Sequence, residues 1–156
     1  MTGVNEAFER LISLAIKREE EAYEFYTGAA EKSDFKSSAK LLHDLAKQEV
    51  GHKHKLQAAL KEGVCDTFTC ETNEEVEEMD LSKYLLDIPL APSSGPQDVL
   101  IVATKREEAA YNFYKALSEL TGSGSHRTVF ESLSEEEKGH KTRLQNMYDD
   151  HFQQDM

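Results

Sequence analysis

Two stretches of this chain recur at one fixed offset, and that register limits what the chain can fold into. Residues 17–26 read KREEEAYEFY and residues 105–114 read KREEAAYNFY. Residues 49–57 read EVGHKHKLQ and residues 137–145 read EKGHKTRLQ. Both pairs lie 88 positions apart (105 − 17 and 137 − 49). Glu19 therefore stands as far from Glu49 as Glu107 does from Glu137. A shared register of this kind implies that both halves are the same structural unit. Each unit brings a lone Glu and then a Glu-x-x-His, which together make four carboxylates and two imidazoles.

The apolar residues around these motifs recur at spacings of three and four, the period of an amphipathic helix. The pattern predicts helices over about 5–32, 36–62, 97–121 and 125–152, with Asn5 as the first N-cap and Gly63 just past the second helix. The inward stripes are Phe8, Leu11/Ile12, Ala15, Glu19, Ala22, Tyr26 and Ala29 on the first helix, and Leu42, Leu45, Glu49, His52, Leu56 and Ala59 on the second. The third carries Leu100, Ala103, Glu107, Ala110, Tyr114 and Leu117, and the fourth Phe130, Leu133, Glu137, His140, Leu144 and Met147. With 38% hydrophobic residues and no Trp, the composition suits a bundle that buries one stripe per helix.

Short links join the first helix to the second and the third to the fourth, which makes each pair an antiparallel hairpin. About 33 residues, roughly 63–95, lie between the hairpins. A helix of that length spans ~40 Å, and an extended chain of thirty-odd residues can return that distance. Residues 80–86 are expected to form a short helix on the way. The expectation is a single all-α domain over 1–156, a four-helix bundle of two hairpins with ferritin-like rather than up-down-up-down connectivity.

Most Glu residues here read as solvated helix faces, Glu20, Glu24, Glu62, Glu108 and Glu136 among them. Glu19, Glu49, Glu107 and Glu137 differ because each lies on its helix's apolar stripe. Burying four carboxylates together is strongly unfavourable without cations. Two divalent ions balance four Glu, and neutral His52 and His140 add nitrogen ligands. A Glu-x-x-His places both side chains on one helix face, so Glu49 and Glu137 can bridge two ions while Glu19 and Glu107 complete one each. Oxygen-rich donors with one imidazole per ion favour iron or manganese over a structural zinc. Two such ions are expected, iron or manganese, with Zn as a substitute.

Other residues leave alternatives open. Tyr26 and Tyr114 follow the lone Glu residues by two helical turns and either hydrogen-bond a ligating carboxylate or serve as core aromatics. Tyr23 and Tyr111 belong at helix interfaces or the surface. Gly51 and Gly139 mark either close packing or room near the site. His43, His54, His126 and His151 read as surface or helix-end residues. Cys65 and Cys70 read as two free thiols, a redox pair being the alternative.

The formal charge of −12 argues against nucleic acid and favours the approach of cations. No apolar run is long enough to span a membrane, and the N-terminal stretch does not read as a signal peptide, so a cytoplasmic location is expected.

The E-x-x-A-x-x-x-Y of Glu19–Tyr26 and Glu107–Tyr114, with E-x-x-H at Glu49–His52 and Glu137–His140, resembles the rubrerythrin branch of the ferritin-like superfamily. The resemblance implies a non-haem di-iron centre, reduction of hydrogen peroxide or oxidation of Fe(II), and a homodimer or larger assembly. It also sets two departures. No rubredoxin-like pair of C-x-x-C motifs is present up to Met156, so electrons are expected from a separate rubredoxin-like donor. Rubrerythrins proper carry a further carboxylate near the third-helix ligand, but Ala110 stands three residues after Glu107, and Glu108 points about 100° away. A symmetric six-ligand site is therefore expected. Three functions follow: a di-iron oxidoreductase reducing peroxide or dioxygen in oxidative-stress defence, a ferroxidase that handles iron, and a metal-stabilised interaction protein without catalysis.

Overall fold

The structure, a computed structural model, describes residues 3–33, 36–62, 95–120 and 125–152. Four helices make it up: α1 (Gly3–Lys32), α2 (Lys36–Glu62), α3 (Pro96–Leu120) and α4 (Ser125–Phe152). Among the described residues none is in a strand. Helix α3 opens on Pro96 with Asp98 in its first turn, the ring pre-setting φ and the acid facing the positive end of the helix dipole. Helix α1 begins at Gly3, so Asn5 lies inside it and is not its cap. The expected crossover over 63–94, its short helix, Gly63, Cys65 and Cys70 fall outside the described residues, as do the side chains of Phe8 and His126.

Charged pairs mark how the helices align. Lys53 meets Glu20 at 2.6 Å across α1 and α2, and their counterparts Lys141 and Glu108 meet at 3.4 Å across α3 and α4. Between α2 and α4, Ser37 Oγ lies 3.2 Å from His151 Nε2, and Asp44 pairs with Arg143 at 3.6 Å. The early part of α2 thus faces the late part of α4. Helices α1 and α3 run antiparallel too, since Tyr26 bonds Glu107 and Tyr114 bonds Glu19. With α2 antiparallel to α1, this leaves α2 and α3 parallel, the arrangement that a long crossover serves.

The residues of the four stripes that are described are buried, Met147 only in part. They form two apolar layers. One holds Leu11, Ile12, Leu56, Phe113, Leu117 and Phe130, and the other Ala22, Leu42, Leu45, Leu100, Ala103 and Leu144. Between them lies a layer of Glu and His side chains, so the polar cluster is closed off from water above and below. Pattern alone did not mark Phe113, Leu41 and Val99 as core, yet all three are buried. They flank the stripes.

Among the described residues no helix is long and apolar enough to cross a membrane.

Candidate metal centre

One helical turn separates Glu49 from His52 and Glu137 from His140, so each helix presents a carboxylate and an imidazole to the same point. The four donors meet at the bundle axis, one atom from each lying within 4.8 Å of the others. The His52 and His140 rings stack with centroids 5.6 Å apart and planes 9° apart. Glu19 and Glu107 close the cluster from α1 and α3. All four carboxylates are 0–1% exposed.

Two sub-clusters are resolved by distance. His52 Nδ1 lies 3.4 Å from Glu19 Oε2, 3.2 Å from Glu49 Oε1 and 3.4 Å from Glu137 Oε1. His140 Nδ1 lies 3.5 Å from Glu107 Oε2, 3.1 Å from Glu137 Oε1 and 3.5 Å from Glu49 Oε1. Ligands held ~2.1 Å from one ion are ~3.0–3.4 Å from each other, so these spacings are those of a coordination polyhedron's edges. Neither Nδ1 makes a hydrogen bond, nor do both oxygens of Glu49 and Glu137 or Oε2 of Glu107. Buried polar atoms are rarely left so, and here the orphaned atoms gather at one point. The donor set fits two cations.

The outer ring atoms are held. His52 Nε2 donates to Glu136 Oε1 at 3.2 Å, and His140 Nε2 donates to Gln48 Oε1. Each contact fixes the ring and turns Nδ1 inward. Glu136 and Gln48 are themselves counterparts at the offset of 88 (136 − 48). Glu136 also accepts from Lys55 at 2.9 Å, so it is not a free solvated carboxylate as the sequence suggested. Each tyrosine hydrogen-bonds a carboxylate of the cluster. Tyr114 donates to Glu19 Oε2 at 3.0 Å and Tyr26 donates to Glu107 Oε1. The bonds cross between hairpins, which a register within one helix does not show.

A largely buried arginine, its side chain 11% exposed, completes the cluster. Arg18 Nη1 lies 3.2 Å from Glu19 Oε1 and 3.6 Å from Glu137 Oε2, while Nη2 donates to the Arg106 carbonyl at 3.2 Å. Its counterpart Arg106 lies instead over the Phe25 ring, 4.6 Å from its centre. Glu108 is exposed and pairs with Lys141, away from the cluster.

Charge in the metal-free cluster is divided unevenly. Burial pushes Glu137 up to about 8, with Glu107 and Glu19 adding repulsion. Burial, with repulsion from Glu137, Glu19 and Glu107, holds Glu49 well above the carboxylate range. Burial opposes the imidazolium of His140, but the adjacent carboxylates of Glu107 and Glu137, 3.5 and 3.1 Å from Nδ1, outweigh it and raise the group to about 10. His52 is raised for like reasons, burial opposing and Glu19 prevailing. Burial would raise Glu19, yet His52 and Arg18 bring it below the ordinary value. Burial, with Glu107 beside Tyr26 and Glu19 beside Tyr114, keeps both phenols protonated as donors.

A cavity of about 430 Å³ between α1 and α2 reaches Glu19 and Glu49 from a surface carrying Glu20, Tyr23, Glu24, Lys53 and His54. Gly51 and Gly139 are exposed, and a Cβ at either would meet nothing within 4 Å. Close packing is therefore not their reason.

The fold has known counterparts. A dodecameric thioferritin, the bacterioferritin-related protein of Bacteroides fragilis, superposes with a TM-score of 0.72 at 17% identity, over 94% of this chain and 86% of that one. A hypothetical protein from Pyrococcus furiosus superposes with a TM-score of 0.64 at 24% identity, over 91% and 88%. No curated relative matches the chain. These likenesses, with the observed helices, define a ferritin-like four-helix bundle holding a buried carboxylate–histidine cluster. The rubrerythrin family model matches residues 4–84 and 98–156, and the chain belongs to the rubrerythrin family.

Proposed function

We propose that this chain is a non-haem di-iron oxidoreductase that reduces hydrogen peroxide, with dioxygen as a slower oxidant. Glu19 and His52 would hold one iron and Glu107 and His140 the other, with the carboxylates of Glu49 and Glu137 available to both. The observation that carries this reading is the convergence of two Glu-x-x-His motifs whose inward oxygens and Nδ1 atoms have no hydrogen-bond partner. Family membership supports iron as the metal. A bound ferrous pair supplies the two electrons that convert peroxide and two protons into two waters.

The protein's own groups prepare that chemistry. Glu49 and Glu137 would release their protons to solvent as cations bind, and the carboxylates left behind would balance the cations' charge. Tyr26 and Tyr114 hold the terminal carboxylates in place, and Glu136 and Gln48 hold the imidazoles. The apolar layers on either side keep bulk water from the cluster, which strengthens every charge interaction inside it. Electrons for repeated turnover come from a separate rubredoxin-like donor. The chain works as a cytoplasmic homodimer in this reading. A larger shell is the alternative, since the B. fragilis neighbour is described as dodecameric.

A second reading, ferroxidase and iron handling, is favoured by the acidic cavity that leads from Glu20 and Glu24 to Glu19 and Glu49. Rapid mixing of protein loaded anaerobically with two Fe(II) per chain separates the two. Peroxide reduction predicts much faster oxidation by peroxide than by dioxygen. Sustained oxidation of added Fe(II) by dioxygen would favour the ferroxidase. Absence of reaction with either oxidant would contradict both.

A further inference from the structure

The two halves of the cluster are related by the 88-residue offset, but their surroundings are not equal. Glu19 has both oxygens engaged, Oε1 by Arg18 and Oε2 by Tyr114. Glu107 has only Oε1 engaged, by Tyr26, and its Oε2 makes no hydrogen bond. Arg18 also reaches Glu137 Oε2 at 3.6 Å. Its guanidinium thus stands against Glu19 Oε1, while Oε2 of the same carboxylate lies 3.4 Å from His52 Nδ1. The counterpart Arg106 is turned away onto Phe25.

We propose that Arg18 is an internal counter-ion that makes the two metal positions unequal: the Glu107–His140 position fills first, and the Glu19–His52 position fills second by displacing Arg18 from Glu19. This rests on the two-metal reading above. Four Glu against two divalent ions is neutral when both histidines are neutral, so Arg18 leaves the filled cluster with one surplus positive charge. That surplus falls on the second ion. A fixed cation a few ångströms from a divalent ion repels it strongly where water is excluded. Glu136 behind His52 acts in the opposite sense. Its charge is offset by Lys55 at 2.9 Å, and its side chain is 37% exposed, so it weighs less than a guanidinium that is 11% exposed and touches the ligand itself. Without metal the same arginine stabilises the fold, because removing it leaves buried carboxylates with one cation fewer.

The account therefore predicts effects of opposite sign from one substitution. Arg18→Gln should lower the melting temperature of the metal-free protein. It should also tighten the second step of a calorimetric Co(II) titration by about tenfold or more, while Arg18→Lys keeps the weak second step. Arg106→Gln should leave the two steps as they are. Two equal steps in the unaltered protein, or a second step unchanged in a folded Arg18→Gln, would overturn the inference but not the two-metal reading. Binding of fewer than two Co(II) per chain would overturn that reading, and the inference with it. A readout independent of any variant is a crystal of the unaltered protein grown with one equivalent of Zn(II). Anomalous density beside His140 supports the order of filling, and density beside His52, or equal at both, refutes it.

Discussion

At the residue scale, a ligand is defined as much by what holds it as by its own donor atom. Tyr26 and Tyr114 each fix the terminal carboxylate of the opposite hairpin. Replacing both by Phe should weaken metal binding by about 10–100-fold, the usual cost of losing such orienting contacts, with the bundle intact. Competition with a chromophoric chelator measures this, and unchanged affinity would reduce the tyrosines to core aromatics. Substituting either bridging residue, as in Glu49→Ala or Glu137→Ala, should abolish binding of the ion pair, read as iron content per chain. Unchanged iron in both would remove the basis of the assignment. The six donors were legible in the sequence because they share an offset and lie on apolar stripes. Arg18, Gln48 and Glu136 were not. Each directly precedes one of the donor glutamates, about 100° around the helix, and only a long side chain folded back along the surface brings it to the cluster. Helical period gives the direction of Cα–Cβ, not the reach of the groups beyond it.

At the element scale, each helix keeps one stripe for packing and one turn for chemistry. Gly51 and Gly139 stand inside the Glu-x-x-His turns of α2 and α4, yet both are exposed with open space where a Cβ would be. Gly51→Ala and Gly139→Ala should each stabilise an isolated chain by about 1 kcal/mol, the helix-propensity difference, as seen in urea unfolding. A loss of stability instead would mean that another copy packs closely on that face. Helix extent was readable from periodicity to within the fraying of the ends. Gly3–Lys32 was found where 5–32 was expected, and Pro96–Leu120 where 97–121 was expected. The N-cap was misjudged because propensity at Asn5 yields to two further residues of helix. The three- and four-residue spacing did show the stripes, but not the flanking residues Leu41, Val99 and Phe113. Those lie beside the stripe and are buried by the packing of neighbouring helices.

For the whole molecule, the polar layer couples folding to metal and to pH. In the metal-free fold Glu137 holds its proton up to about 8 and His140 up to about 10, against ordinary values of 4.5 and 6.5. Across that range the folded chain binds more protons than the unfolded one, so stability falls as pH rises. Glu19 shifts the other way, but its effect lies below the ordinary carboxylate value. Chelator-treated protein should therefore melt at a lower temperature at pH 9 than at pH 6. Saturating Mn(II) should reduce or reverse the difference, since ions bind the deprotonated ligands and stabilise the state they bind. A metal-free melting temperature that rises from pH 6 to pH 9 would contradict this account of the charge balance. The central claim is that two metal ions lie between Glu49 and Glu137. Its most direct test is a crystal of the iron-loaded protein measured on both sides of the iron absorption edge. The account predicts two anomalous peaks about 3.5–4 Å apart, one beside His52 and one beside His140. A single peak, or peaks away from the bundle axis, would contradict it.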